Sequence, residues 1–172
     1  MNGKVAAKAQ VREATERFVA ECARATDGQW LFRPTPTQWS MAHVTEHVAI
    51  SNGNIRQMLT KRLLDSPIGG RATDVVDVEI PYLFYRGDEP PNVATPTGDW
   101  TNRETAMEAL SASARAILEW AGGVNADLRT VGIAHPVFGL LDGVQWLLFA
   151  AAHTERHRAQ LIGLRRHQEF PR

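Results

Sequence analysis

Histidines spaced four residues apart are the part of this sequence best suited to chemistry. His153 and His157 form one such pair, and His43 and His47 form a second pair far upstream. Side chains four residues apart lie on one face of an α-helix, one turn above the other. Two helices that present histidines in this way could meet around one metal ion, because imidazole nitrogen is a good ligand for zinc, nickel, iron and copper.

Each histidine also has an ordinary explanation, which is a ring in the core whose nitrogens are hydrogen-bonded to a side chain or to water. That explanation is the better one for any single histidine, but the combination favours a metal. His153 and His157 fall on one broad apolar helix face, and His47 falls among inward-facing residues of another helix. Three neutral ligands would leave an ion at least one open position, as in catalytic sites.

Two polar residues near these histidines have several interpretations. His43 could be a fourth ligand, a base beside the ligands, or an exposed residue at the start of its helix. Gln160 follows His157 by three residues, so it could hydrogen-bond the site, or it could be an ordinary polar residue of the core packing.

Composition excludes several classes of protein. The 19 basic and 19 acidic residues give a net charge of +0, which argues against a broad nucleic-acid-binding face. The single cysteine, Cys22, excludes an intramolecular disulfide and is predicted to be a buried structural thiol. No apolar window is long enough to span a bilayer. We therefore expect a cytoplasmic protein that binds neither nucleic acid nor membrane.

Helical segments account for most of the chain, and no segment shows a strong strand pattern. The predicted helix caps are Ser40, Thr101 or Asn102, and Asp142, while Asp27-Gly28 is predicted to stop the first helix. The residues from His135 to Asp142 are predicted to form a turn. The expected fold is all-α, a four-helix bundle in a single domain over residues 1–172, with helices at about 5–26, 41–64, 103–120 and 143–168.

The connection between the second and third helices, residues 65–102, is long, irregular and rich in proline. A loop of this length often covers a site. Its aromatic residues, among them Tyr82, Tyr85 and Trp100, are candidates for the wall of a substrate pocket. The equally good alternative is that they only pin the loop to the surface.

Three motifs in order give the sequence a family resemblance. Trp39-Ser40 is followed by His47, eight residues after the tryptophan. His-Pro-Val-Phe-Gly at 135–139 precedes the last helix, and His-Thr-Glu-Arg-His-Arg-Ala-Gln-Leu occupies 153–161. Together these motifs resemble the DinB superfamily, which includes YfiT-like metalloenzymes.

The resemblance implies a four-helix bundle, often dimeric, with a three-histidine metal site. The family's ligands map to His47, His153 and His157, which would hold a divalent transition metal such as Zn, Ni, Fe or Mn. Related members include transferases and isomerases that use low-molecular-weight thiols such as bacillithiol or mycothiol. At the position of His43 the family more often has an acidic or amide side chain, so this chain departs from the pattern there.

Two classes of function follow from the residues and the resemblance. The leading hypothesis is a metal-dependent enzyme, a thiol-dependent S-transferase or a hydrolase, that acts on a small molecule, with a low-molecular-weight thiol as the cosubstrate in the first case. His43, or Glu46 if the helix is suitably rotated, would be its candidate base. The alternative is a non-catalytic metal- or small-molecule-binding module of a stress response. A homodimer is expected in either case.

Overall fold

The computed structural model describes residues 3–68, 79–80 and 94–172. The described residues are mostly helical and include one small two-stranded sheet. The predictions for Tyr82 and Tyr85 fall outside the described residues. None of the helices described is long and apolar enough to cross a membrane.

The elements follow one another along the chain in an order close to the predicted one. A π-helical turn, Leu59–Leu63, continues the third helix without a break. The bounds are α1 Gly3–Ala23, α2 Asp27–Leu31, α3 Met41–Met58, α4 Arg103–Gly123, β1 Gly132–His135, β2 Gly139–Asp142 and α5 Gly143–Arg165.

Helix α2 corrects the prediction that Asp27-Gly28 only ends the first helix. Thr26 is an N-cap whose side chain accepts a hydrogen bond from the Gln29 N–H, and the Gln29 side chain accepts one from the Thr26 N–H. This reciprocal capping box satisfies two backbone donors at once, so the chain starts a new helix directly after the first.

The predicted caps of the long helices are confirmed. The Ser40 side chain accepts a hydrogen bond from the His43 N–H at the start of α3, and Asn102, rather than Thr101, caps α4. Asp142 caps α5 through a capping box with Gln145. Each cap satisfies backbone donors that the first helical turn cannot pair. The starts of the helices that carry the histidines are therefore encoded locally.

A short antiparallel hairpin corrects the all-α expectation and the predicted turn at 135–142. Strands β1 and β2 pair with Gly132 opposite Asp142 and His135 opposite Gly139. Gly139 has a φ of +72°, a conformation that glycine adopts without strain, and it follows directly after the tight turn. Strands of four residues are too short to show a clear period of two in the sequence.

Helix packing places α3 beside α5. Helix α1 packs against α4 and α5, and α3 packs against the same two helices. Large buried side chains fill the space between them, including Phe18, Trp30, Leu110, Leu147 and Leu161. Since complete burial of one such side chain is worth roughly 1.5–3 kcal/mol, these contacts fix the relative positions of the helices that carry the histidines.

Candidate metal centre

Three histidine rings from two helices converge at one point. His47 comes from α3, and His153 and His157 come from successive turns of α5. The Nε2 atom of His153 lies 3.3 Å from Nε2 of His47 and 3.2 Å from Nε2 of His157. The ligand atoms of all three rings lie within 4.8 Å of one another, and each residue is only 8% exposed. The predicted ligand set is thus brought together.

Hydrogen bonds on the far side of two rings fix which nitrogen carries the proton. Nδ1–H of His47 donates to the backbone carbonyl of Ala94 at 2.7 Å. Nδ1–H of His157 donates to Oε1 of Gln160 at 2.8 Å. In a neutral imidazole the other nitrogen is then an unprotonated acceptor. Both rings therefore direct an Nε2 lone pair at the shared centre, as a metal-ligating histidine does.

The spacing of the nitrogens fits a bound transition metal. Zinc–nitrogen bonds of about 2.0–2.1 Å in a tetrahedral arrangement place neighbouring ligand nitrogens roughly 3.3 Å apart. Two of the three separations, 3.3 and 3.2 Å, match that value, and the third lies within 4.8 Å. Without an ion, the lone pairs of His47 and His157 would have to share the single Nε2 proton of His153, whereas an ion would accept the lone pairs of all three rings. The donor set therefore fits a divalent transition metal.

Burial keeps the three rings neutral. It lowers the pKa of His47, although the hydrogen bond to Ala94 opposes the shift. Burial, with His157 and His47 close by, lowers the pKa of His153 well below its ordinary value. Burial, with His47 beside it, lowers the pKa of His157 to about 3. Metal ligation requires unprotonated imidazole, so the site is in its ligating form at neutral pH.

Aromatic rings flank the histidines on two sides. The Trp39 ring lies 4.8 Å from the His47 ring and 6.5 Å from the His157 ring, between centroids. Phe149 stacks on His153 with a centroid distance of 5.9 Å. An apolar surrounding of this kind controls water access to a metal and lowers the local dielectric constant. In the sequence, the eight-residue spacing between Trp39 and His47 was the feature that could have indicated the contact between these two rings.

Gln160 and His43, the two residues with several interpretations, have different positions. Gln160 is exposed rather than packed in the core, and its side chain accepts the hydrogen bond that orients His157. His43 is half-buried, and its Nδ1 lies 2.7 Å from Oγ of Ser40. It is not among the three residues whose ligand atoms converge. Of its three interpretations, the one at the helix start agrees best with these contacts, although the residue is half-buried and not exposed.

Glu46 has a role that the sequence does not reveal. Its carboxylate accepts hydrogen bonds from the N–H and Oγ1–H of Thr97 at 2.8 and 2.7 Å, and from the N–H of Gly98 at 3.0 Å. Burial raises the pKa of this carboxyl, but those hydrogen bonds outweigh burial and the pKa is lower than its ordinary value. Glu46 therefore anchors a neighbouring segment, and its candidacy as a base loses support.

We call residues 94–98 the strap, because both Glu46 and His47 bind this segment. Ala94 at one end accepts the hydrogen bond from His47. Just beyond the other end, the carbonyl of Trp100 accepts a hydrogen bond from Nε1–H of Trp30 at 3.1 Å, and the Trp100 ring packs against the hydrophobic core. These contacts pin the segment to the helices. The pocket role of Trp100 stays a prediction.

His135, from the motif before the last helix, and Cys22 have structural surroundings. His135 ends β1, where its Nδ1 accepts hydrogen bonds from the N–H groups of Val137 and Phe138 at 3.1 and 3.3 Å. Burial lowers its pKa to about 4. Cys22 is buried, as predicted, and burial raises the pKa of its thiol to about 12. A thiol of that kind is inert at neutral pH.

The fold and the site together define a class: a mostly helical protein with a buried three-histidine cluster that could hold a metal ion. Residues 10–161 match the DinB superfamily, and the chain belongs to that family. It is also similar to the uncharacterized protein YuaE of Bacillus subtilis (strain 168). The identity is 24% over 136 residues, which cover 75% of this chain and 78% of that protein. No solved structure matches the chain.

Proposed function

We propose that this protein is a metal-dependent enzyme of the DinB superfamily that transfers a thiol to, or hydrolyses, a small-molecule substrate. The observation that carries the proposal is the convergence of three Nε2 atoms, two of them deprotonated through hydrogen bonds on the opposite ring nitrogen. His47, His153 and His157 would hold a divalent ion such as Zn, Ni, Fe or Mn. Three protein ligands are typical of catalytic rather than structural zinc sites.

An ion held there would lower the pKa of a thiol or a water molecule at its open position, which supplies a nucleophile near neutral pH. The protein contributes orientation and surroundings. Ala94 and Gln160 hold His47 and His157 in the ligating tautomer. Trp39 and Phe149 flank the rings and limit water at the site.

The second candidate function is a non-catalytic metal- or small-molecule-binding module. It is favoured by the low exposure of the three ligands, each 8%, and by their origin on two different helices. An ion at this point would cross-link α3 to α5 and stabilise the fold. Free energy of metal binding would then appear mainly as free energy of folding.

A turnover assay with single-metal preparations tests the enzymatic proposal. The protein is loaded separately with Zn²⁺, Ni²⁺, Fe²⁺ or Mn²⁺. Each preparation is offered low-molecular-weight thiols with a set of electrophiles, and then ester and amide substrates without a thiol. We expect turnover with at least one metal, and loss of that turnover in His153→Ala.

His167→Ala is the matched control, since it removes a histidine near the C-terminus that is not among the three converging residues. It should keep the wild-type turnover. Metal binding without turnover, together with a large rise in melting temperature on metal addition, would favour the binding module over the enzyme. Binding of none of the four ions would defeat the metal-dependent enzyme and the metal-binding form of the module.

The family resemblance supports further proposals at the level of the whole protein. We propose that the four long helices form a four-helix bundle within a single domain, and that the protein acts as a cytoplasmic homodimer. The packing of α1 and α3 against both α4 and α5 supports the bundle. Sedimentation equilibrium that returns only the monomer mass would refute the dimer.

A further inference from the structure

Two adjacent side chains of α3 hold the strap, residues 94–98. His47 donates from Nδ1 to the carbonyl of Ala94, at 2.7 Å. Glu46 accepts three hydrogen bonds from Thr97 and Gly98, at 2.7 to 3.0 Å. The segment that orients a candidate metal ligand is thus anchored by the residue directly before that ligand in the chain.

The Glu46 carboxylate is committed to the strap. Glu46 is 1% exposed, and a buried charge is costly unless hydrogen bonds satisfy it. Oε1 receives two hydrogen bonds from Thr97, and Oε2 receives one from Gly98. A carboxylate only accepts hydrogen bonds, so it matches this set of donors. A glutamine in its place would turn an NH₂ group toward an N–H or O–H donor.

The strap is held in place by its contacts rather than by its own backbone preference, because glycine at position 98 can adopt many backbone conformations. Gly98 has a φ of +86°, which side-chain-bearing residues rarely adopt, and a Cβ at this position would lie 3.1 Å from Nε2 of His43. Ala94, at the other end, is 2% exposed. The conformation that presents the Ala94 carbonyl to His47 therefore depends on the contacts at both ends.

We infer that Glu46 is a positioning residue for the metal ligand His47: by fixing the strap it places the Ala94 carbonyl where it holds the His47 ring with Nε2 toward His153 and His157. The inference rests on the metal site proposed above and assigns to Glu46 a role other than that of a base. Glu46 acts on His47 alone, since Gln160 orients His157 independently.

The test compares Glu46→Gln with the wild type by Co²⁺ binding, measured in competition with a chromophoric chelator. Loss of a hydrogen-bonding partner behind a metal ligand typically weakens metal affinity 10–100-fold, so we expect a rise in Kd of about that size. The visible absorption band of bound Co²⁺, which depends on coordination geometry, should also change. Thr97→Val removes one of the three hydrogen bonds and should change both measurements less, in the same direction.

Two controls separate positioning from a loss of stability. Asn102→Ala removes the cap of α4 just beyond the strap and should destabilise the fold while its Co²⁺ Kd stays within about twofold of the wild type. In a His47→Ala background, Glu46→Gln should add no more than about a twofold effect, because the two changes act through one ring. In a His153→Ala background its effect should persist.

A second measurement needs no metal. Long-range ¹H–¹⁵N spectra of the metal-free protein report which nitrogen of His47 carries the proton. We expect Nδ1–H in the wild type and a mixture of tautomers in Glu46→Gln, or in Thr97→Val if the first variant does not fold. A folded variant with the wild-type tautomer and wild-type Co²⁺ affinity overturns the inference. If the wild type binds neither Co²⁺ nor any of the four ions named under the proposed function, that proposal fails, and the tautomer measurement alone decides the role of Glu46.

Discussion

The two histidine pairs have the same spacing but different surroundings. On α5 both members enter the cluster, with Nε2 atoms 3.2 Å apart. On α3 only His47 does so, while the ring of His43 lies against Ser40 at the helix start, 2.7 Å from its Oγ. Equal spacing on two helices therefore does not mean equal participation in the site.

The difference follows from where each helix passes the centre. Four residues of α-helix advance about 6 Å along the axis, so a pair on one helix can bracket a point beside it. His153 and His157 bracket the centre in this way, and His47 meets them from the opposite helix. A second residue from α3 would have to reach one turn further. His43 is instead bound to the N-cap of its own helix.

The largest expected effect concerns metal affinity. If it is not observed, the contrast between the two histidine pairs is wrong. His157→Ala should weaken Zn²⁺ or Ni²⁺ binding by at least about 100-fold, because it removes a ligand rather than a supporting group. His43→Ala should leave the Kd nearly unchanged. Isothermal titration calorimetry of both variants measures this. An equal loss in both would make His43 a fourth ligand.

Acid stability should also separate the pairs. The pKa of His157 is lowered to about 3 by burial and by His47, so between pH 6.5 and 3 the unfolded chain binds the extra proton. Stability of the metal-free protein is therefore undiminished above pH 6.5 and decreases as the pH falls. At pH 5 this single group should cost about 2 kcal/mol.

Urea denaturation of the metal-free protein at pH 7.5 and pH 5 measures that cost. His157→Leu should lose less stability between the two pH values than the wild type. Half-buried His43, whose pKa is lowered by burial and by Arg33, should contribute less, so His43→Leu should retain most of the wild-type pH dependence. The reverse ranking would mean that His43 is shielded from protonation more strongly than His157.

The smallest expected effect concerns the helix start that holds His43. Ser40→Ala removes an N-cap and should cost about 1 kcal/mol of stability. Metal affinity should remain unchanged, because the released ring is not a ligand. Thermal denaturation and a Zn²⁺ titration of the same preparation test both statements. Tighter Zn²⁺ binding in the variant would show that Ser40 keeps His43 out of the site.

Much of the helical layout could be predicted because its signals are local. Ser40, Asn102 and Asp142 cap helices by reaching backbone N–H groups three residues on, which a sequence pattern records directly. The hairpin at 132–142 and helix α2 were not predicted. Helix α2 does carry a local signal, the capping box of Thr26 and Gln29. The hairpin does not: its strands are short and depend on contacts such as the hydrogen bond from Trp146 Nε1–H to the carbonyl of Ile133, at 3.1 Å.

The ligands of the candidate site were predictable, and a hydrogen bond between Gln160 and the site was one of two interpretations of that residue, but the support of His47 was not predictable. Helical periodicity places His153 and His157 on one face whatever surrounds the helix, and the apolar stripe of α3 turns His47 inward. The acceptor of His47 is a backbone carbonyl, Ala94, 47 residues away. Every residue has such a carbonyl, so no sequence signal distinguishes this one.

The sequence by itself determined the helices, their caps and the face on which each histidine lies, because these depend on residues a few positions apart. Tertiary structure alone decided that the His43 ring stays at the helix start, and that Glu46 holds the strap instead of acting at the site. Those outcomes depend on how α3, α5 and the strap pack together. Packing is set by the whole core, so local spacing cannot specify it.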